Sequence, residues 1–179
     1  MGRVPGDGST DFFLNKNRLS SIAGRLCKGE PIQYIFGHAR FHGHAFKVTP
    51  ATLIPRPETE LLVDMITDDA GGVADLRVLD IGTGSGCIAI SLALALRWPE
   101  VEAFDISAEA LAVAKENAAL LKAKVDFVQT DILTAVPEAD SLDVVVSNPP
   151  YICESERADM ERNVLEHEPA TALFVPDAD

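Results

Sequence analysis

The sequence has few of the residues that build covalently or metal-linked scaffolds. Its three cysteines in 179 residues lie far apart, at Cys27, Cys87 and Cys153, with no C-x-x-C spacing. This pattern indicates neither a disulfide framework nor a structural zinc site. We therefore predict buried thiols in a reducing compartment.

Long hydrophobic runs are also missing. The longest apolar stretch, residues 87–96, is much shorter than the roughly 20 residues that a transmembrane helix needs. The start, MGRVPGDGSTDFF, resembles neither a secretory signal nor an Arg-rich transit peptide. We therefore expect a cytoplasmic protein with no membrane partner.

Basic side chains are scarce relative to acidic ones. The chain carries 15 Lys and Arg against 28 Asp and Glu, a formal net charge of -13. The acidic excess lies in residues 61–179, whereas residues 1–60 have a small basic surplus. Because binding to nucleic acid depends on neutralising several phosphates, this composition disfavours nucleic acid as a partner.

An entry module precedes an alternating α/β pattern. After a frayed start at 1–10, apolar spacing predicts a helix over 17–27, a β-hairpin in ARFHGHAFKV, and a helix that opens with Pro57 and Glu58 and runs to about Thr67. The hairpin histidines, His38, His42 and His44, have no carboxylate nearby in this reading, so we predict solvated side chains and no metal site.

From Leu76 onward, buried strands alternate with helices. Strands are predicted at 77–81, 101–106, 125–129 and 142–147, with helices at 87–97 and 108–121, the second capped by Ser107. The strands carry little charge. This alternation predicts an α/β fold with a parallel sheet covered on both faces.

The first of these strands runs directly into a glycine loop, Leu79-Asp80-Ile81-Gly82-Thr83-Gly84-Ser85-Gly86. Glycines let the backbone approach a ligand, and Asp80 can accept hydrogen bonds from that ligand or from the loop's own N–H groups. A small molecule is therefore predicted here. Residues 84–89 also match the dinucleotide pattern G-x-G-x-x-A, so the loop alone does not separate a nicotinamide cofactor from another nucleoside, or from a simple connecting turn.

Acidic residues follow the next two strands. Asp105 can accept both hydroxyls of a ribose, with capping of the following helix as the alternative. Asp131 can accept from an adenine amino group while Ile132 packs on the ring, although Asp131 could equally be a solvated loop acid. Together these positions favour a nucleoside ligand.

The fourth strand ends in Asn148-Pro149-Pro150-Tyr151. Two prolines fix two φ angles and remove two donors, which leaves the Pro149 carbonyl and the Asn148 side chain to accept from a substrate NH₂. Tyr151 can stack on a planar group. We therefore predict that Asn148, Pro149 and Tyr151 are catalytic and that Asn148, Pro149, Pro150 and Tyr151 bind an amide or exocyclic amine.

Five segments of the chain, in this order, resemble the glutamine methyltransferases that modify peptide chain release factors. They are PIQYIFGHARFHGHAFKVTPATLIPRPETELLV, LDIGTGSGCIAISLA, AFDISAEALAVAKENA, LDVVVSNPPYI and EHEPATALF. The pairing of IPRPETE with NPPY is the most specific part, because NPPY alone also occurs in DNA and RNA amino-methyltransferases.

The resemblance implies a Rossmann-like class I methyltransferase that uses S-adenosylmethionine. It implies that residues 82–86 (Gly82, Thr83, Gly84, Ser85 and Gly86), Asp105 and Ile132 lie at the cofactor; Asp80, Asp131 and Asn148 complete the predicted cofactor set. It also implies that residues 148–151 hold the glutamine of a release factor's Gly-Gly-Gln motif. The alternatives are a DNA or RNA amino-methyltransferase and a non-catalytic fragment.

The same resemblance predicts how the chain divides. Residues 1–30 would be a disordered start and the last helix of a shortened helical domain, and 31–70 the hairpin and connecting helix. Residues 71–179 would be the catalytic domain with an incomplete parallel sheet. By this expectation the chain is truncated at both ends relative to the family.

Overall fold

A computed structural model of the chain describes residues 8–70, 72–135, 137–138 and 140–177. The entry module has two helices, a hairpin and a third helix that follows a 3₁₀ turn. Its elements are α1 Gly8–Leu26, α2 Ile32–Phe36, β1 His38–Phe41, β2 His44–Lys47, the 3₁₀ turn Pro57–Thr59 and α3 Glu60–Ala70. The elements that follow are β3 Arg77–Ile81, α4 Cys87–Ala95, β4 Glu100–Asp105, α5 Ala108–Leu121, β5 Asp126–Gln129, β6 Val144–Ser147, β7 Ile152–Cys153, α6 Arg162–His167 and β8 Phe174–Val175.

The predicted α/β alternation is confirmed, with element ends shifted by at most two residues. The Ser107 hydroxyl accepts a hydrogen bond from Ala110 N at 3.1 Å, which makes it the predicted N-cap of α5. None of the helices within the described ranges has the length and apolar content needed to cross a membrane.

The entry module differs from its prediction in three places. Helix α1 begins at Gly8, well before the expected residue 17, and α2 was not predicted at all. The frayed start falls largely on residues 1–7, which lie outside the described residues. The hairpin is confirmed, with Phe41 opposite His44. However, a carboxylate does lie beside its turn, because His42 Nε2 is 3.1 Å from Asp64 Oδ1 on α3.

Strands β3 to β6 form one parallel sheet in the order β5-β4-β3-β6. Two consecutive crossovers build the sheet outward from β3 to β5, and the chain then returns to place β6 on the other side of β3. Because all four strands are parallel, their carboxyl ends meet at one edge. The order reverses beside β3, and such a switch point opens a crevice there.

Helices α3, α4 and α5 lie on one face of this sheet, and in the described residues the predicted cover of the other face is only partial, since Leu79 of β3 is buried there. Right-handed crossovers from β3 to β4 and from β4 to β5 bring α4 and α5 to the same face, where they contact each other. The return connection, 130–143, would cover the opposite face, but its described part forms turns and extended chain. Val145 is consequently 58% exposed on that face.

The main core lies between the sheet and its helices and extends into the hairpin. Val78, Val101 and Val146 of three strands are buried with Phe41 and Phe46 of the hairpin in one cluster. The two phenylalanine rings meet edge to face, with centroids 6.1 Å apart. The entry module and the sheet therefore share a core, although the predicted domain division stays a prediction.

At Gly86, the N-cap of α4, the chain lies close to α5. This residue has φ +80°, and a Cβ there would lie 2.9 Å from Ile90 Cδ1 and 3.1 Å from Ala114 Cβ. We expect Gly86→Ala to lower the free energy of unfolding by about 2–4 kcal/mol, because backbone strain adds to overpacking. Chemical denaturation measures this loss.

Gly37→Ala is the matched control. Gly37 has a similar φ of +75° but no atom within 4 Å of an added Cβ. Gly37→Ala should lower the free energy of unfolding by the backbone strain alone, about 1 kcal/mol. Equal losses in the two variants would contradict the close helix approach as the cause.

Candidate functional site

The glycine loop lies at the carboxyl end of β3 and is fastened to β4. The N–H groups of Gly82 and Thr83 donate to the Phe104 carbonyl at 2.9 and 3.0 Å. Gly82 and Gly84 have positive φ, and a Cβ on either would meet no atom within 4 Å. The loop therefore presents bare backbone to open space, as a ligand cradle requires.

Asp80 connects this loop to the start of α4. Its fully buried Oδ2 accepts from Thr83 Oγ1 at 2.7 Å and from Ala89 N at 3.2 Å. Burial raises the pKa of this carboxyl to about 6, and its hydrogen bonds oppose that shift. Of the two sequence-based alternatives, the structure has Asp80 bonded to the loop and to the start of α4.

Asp105 lies at the end of β4 beside the loop. Its Oδ2 accepts from Gly84 N at 2.8 Å, and its Oδ1 accepts from Ser107 N at 2.9 Å. A carboxylate offers about four acceptor positions, so each oxygen can accept one further hydrogen bond. Asp105 thus both positions the loop and faces the crevice.

A cavity of about 380 Å³ lies over the carboxyl ends of the strands. All of the predicted cofactor residues line it except Asp80, which is fully buried, and Gly86, which lies against Ala114 of α5. Asp131, which also accepts from Leu133 N at 2.9 Å, lines the cavity with Ile132 where β5 ends. Asn148 lines it where β6 ends. The volume falls in the range of about 300–1,000 Å³ typical of small-molecule sites.

A second cavity of about 460 Å³ adjoins the first. Asn148 and Pro149 line both cavities. Pro150 lines only the first cavity, and Tyr151, which is 75% exposed, lines only the second. The Asn148 side-chain nitrogen lies 3.5 Å from Thr59 Oγ1, so its oxygen is the atom that remains to accept from a ligand. The N-P-P-Y segment therefore forms the boundary between two cavities.

Two residues at the site, Thr59 and Glu168, have no role predicted from the sequence. Thr59 and Arg56 line both cavities. Glu168, with a side chain only 2% exposed, binds Arg56 Nη2 through Oε1 at 2.7 Å and accepts from Ile54 N at 3.2 Å. From the sequence, Arg56, Glu58 and Glu60 are interpreted either as a charge network at the start of a helix, which is favoured, or as lining of a cofactor cleft. Glu168 belongs to a segment that carries the resemblance, without a chemical role of its own.

Buried Asn117 was also missed, because a helical asparagine gives no periodic signal. Its Oδ1 accepts from Lys47 N at 2.7 Å, and its Nδ2 donates to Lys47 O at 3.0 Å and to Ser85 O at 2.8 Å. It therefore joins the hairpin and the glycine loop to α5. In this way one polar side chain connects the entry module to the cavity.

Comparisons with known proteins agree with this architecture. Residues 57–171 match the family model described as the methyltransferase small domain. A release factor glutamine methyltransferase of Bacteroides thetaiotaomicron is 52% identical over 97% of this chain and 66% of that protein. One of Koribacter versatilis is 47% identical over 88% of this chain and 56% of that protein. The chain thus spans less than two thirds of the length of these relatives.

Solved structures support the fold. The 16S rRNA N2 G1207 methyltransferase of T. thermophilus, in complex with AdoMet and guanosine, matches 64% of this chain and 32% of its own, with TM-score 0.55 and 24% identity. A SAM-dependent methyltransferase from Agrobacterium tumefaciens matches 63% of this chain and 39% of its own, with TM-score 0.53 and 22% identity. At this identity the likeness establishes the Rossmann-like class I methyltransferase fold alone.

The raised pKa of Asp80 predicts a pH dependence of stability. Between its ordinary value of 3.8 and about 6, the folded protein keeps a proton that the unfolded chain has released. The free energy of unfolding should therefore fall as pH rises through this window, by at most about 1.4 kcal/mol per pH unit from this group.

Asp80→Asn removes that titration while it retains a side-chain oxygen. Urea unfolding of both proteins across the window measures the difference in their pH slopes, in which the contributions of other carboxyls cancel. The slope attributable to Asp80 should be absent from the variant. Identical slopes in the two proteins would contradict a raised pKa.

Proposed function

Because the chain belongs to the methyltransferase small domain family, we propose that it transfers a methyl group from S-adenosylmethionine to the side-chain amide nitrogen of a glutamine in a peptide chain release factor. The observation that carries this proposal is the N-P-P-Y segment at the boundary of two cavities. Relatives named for this activity align with most of the chain.

The first cavity fits an S-adenosyl cofactor. Asp105 has acceptor capacity for the ribose hydroxyls, and Asp131 and Ile132 line the cavity at the β5 end for the adenine. Gly82 and Gly84 line the same cavity with uncovered backbone, because a Cβ on either would project into open space. When bound, this cofactor supplies the methyl group and, in its sulfonium, the leaving group.

Asn148 and Pro149 would hold the substrate amide. The Asn148 side-chain oxygen and the Pro149 carbonyl can accept the two N–H bonds of an NH₂ group at the boundary of the two cavities. When both hydrogens of the amide are held in this way, the direction of its nitrogen lone pair is fixed. Tyr151 at the second cavity offers a ring face to the planar amide.

The proposed contribution of the protein is therefore positional. An amide nitrogen is a poor nucleophile because its lone pair is delocalised into the carbonyl, so orientation is the contribution that these residues can make. Once methylated, the nitrogen carries an acidic proton, which leaves to water. No residue of the chain is assigned as a general base.

The test is methyl transfer from labelled S-adenosylmethionine to a purified release factor, with the modified residue located by mass spectrometry. We expect one methyl group on the glutamine of the Gly-Gly-Gln motif and none on a release factor in which that glutamine is replaced by glutamate. Transfer to DNA or RNA instead would support the amino-methyltransferase alternative and overturn the proposal.

Removal of the amide acceptor should abolish most turnover. Asn148→Ala should reduce methyl transfer on the order of 10²-fold or more, as expected when a group that binds the reacting atoms is deleted, while the melting temperature changes little. Asn163→Ala is the control, because Asn163 lies on α6 and lines neither cavity. Near-normal turnover in Asn148→Ala would exclude the proposed clamp.

Loss of the acid at the end of β4 should weaken cofactor binding. Asp105→Ala removes charge-assisted hydrogen bonds to the ribose and to Gly84 N, so we expect affinity for S-adenosylmethionine to fall about 10–100-fold. Titration calorimetry measures this change. Glu109→Ala, at an acid in the first turn of α5 outside the cavity lining, should bind as the unmodified chain does.

A further inference from the structure

Arg56 is the only positively charged side chain among the described residues that line either cavity. The first cavity also has two acids in its lining, Asp105 and Asp131, and the second has Glu58. In a chain with a net charge of -13, an anionic group of a ligand would be repelled at most positions in this cleft. Arg56 is where such a group can be bound.

Buried Glu168 fixes the position of Arg56. Its Oε1 accepts from Arg56 Nη2 at 2.7 Å, and its Oε2 accepts from Ile54 N at 3.2 Å, two residues before the arginine. Both carboxylate oxygens are thus used to orient the same segment. A guanidinium has five N–H donors, and the contacts among the described residues use one of Arg56's, so donors remain for a ligand.

The polar residues of the first cavity lie in a definite order across the sheet. Asp131 follows β5, Asp105 follows β4, the glycine loop follows β3, and Asn148 follows β6. Arg56 lies at the Asn148 end, because Thr59 joins the two: its N–H donates to the Arg56 carbonyl at 3.0 Å, and its Oγ1 lies 3.5 Å from Asn148 Nδ2. S-adenosylmethionine has its adenine, ribose, sulfonium and amino-acid group in this order. With its adenine at Asp131 and its ribose at Asp105, the sulfonium and the amino-acid group beyond it reach the end where Asn148 and Arg56 lie.

Resting on the proposed function, we propose that Arg56 binds the α-carboxylate of the S-adenosyl cofactor and that Glu168 is the residue that positions Arg56. Guanidinium and carboxylate groups form paired, charge-assisted hydrogen bonds. The substrate amide oxygen is the poorer partner for Arg56. A cation on that oxygen would draw the nitrogen lone pair further into the carbonyl and so oppose methyl transfer.

Two ligands that differ in the amino-acid group test this inference by calorimetry. S-adenosylhomocysteine carries the carboxylate, whereas 5′-methylthioadenosine keeps the adenine and ribose but lacks the whole amino-acid group. The main variant combines Arg56→Ala with Glu168→Gln, because Arg56→Ala alone would leave a buried carboxylate unpaired. We expect about 10–100-fold weaker binding of S-adenosylhomocysteine and unchanged binding of 5′-methylthioadenosine.

Two single substitutions separate charge from orientation. Arg56→Lys keeps the charge but loses the guanidinium fork, and Glu168→Gln keeps the arginine but loses the anion that orients it. Each should weaken the binding of S-adenosylhomocysteine by a smaller factor, about 3–10-fold, and leave the binding of 5′-methylthioadenosine unchanged. A purely structural role would instead weaken both ligands equally.

Two control variants distinguish a loss specific to the carboxylate from a general loss of binding. Arg162→Ala removes an exposed arginine that pairs with Glu166 on α6 and should change neither affinity. Asp105→Ala should weaken both ligands, because both contain the ribose. Equal losses for the two ligands in the Arg56 variants, or no loss for S-adenosylhomocysteine, would overturn this inference alone. Failure of the unmodified chain to bind either ligand would overturn the proposed cofactor, and this inference with it.

Discussion

The parallel alignment of β3, β4, β5 and β6 is the constraint on which the site depends. Parallel strands deliver four carboxyl ends to one edge, and each end turns into a segment that lines the crevice. The order β5-β4-β3-β6 reverses direction beside β3, so the segments after β3 and β6 diverge and leave space between them. The glycine loop and the N-P-P-Y segment face each other for this reason.

Buried polar side chains make that edge specific. A buried carboxylate or amide is costly unless it is hydrogen-bonded, and Asp80, Asn117 and Glu168 each bond to one residue of the cavity lining, namely Thr83, Ser85 and Arg56. Asp80 and Asn117 hold the glycine loop from two directions. Glu168 fastens the segment at Ile54 and Arg56 to residues that follow α6. These directional contacts fix the relative positions of chain segments, which hydrophobic packing alone would not fix.

The parts that could be predicted from the sequence are those with a local signal. Strands β3 to β6, helices α4 and α5, the Ser107 cap and the glycine loop all follow from periodicity or from residues a few positions apart. Contacts such as Lys47–Asn117 and Arg56–Glu168 join residues 70 and 112 positions apart, and nothing local in the sequence specifies such pairs. The partial cover of one sheet face could not be predicted for a related reason, because a sequence shows that a connection is present but not which face it crosses.

Charge distribution adds a physical reason for the Arg56–Glu168 pair. An acidic protein attracts a cationic sulfonium and repels a carboxylate, and the proposed cofactor carries both groups on one chain of atoms. The surrounding acids favour the sulfonium end of that ligand. Its carboxylate end can bind only where a local cation offsets the repulsion by those acids. An arginine alone would be drawn towards any nearby acid, such as Glu58 in the lining of the second cavity. A buried carboxylate bonded also to the backbone of Ile54 confines the arginine to one place, and this explains why an anion lies behind the only cation in the described lining of the cavities.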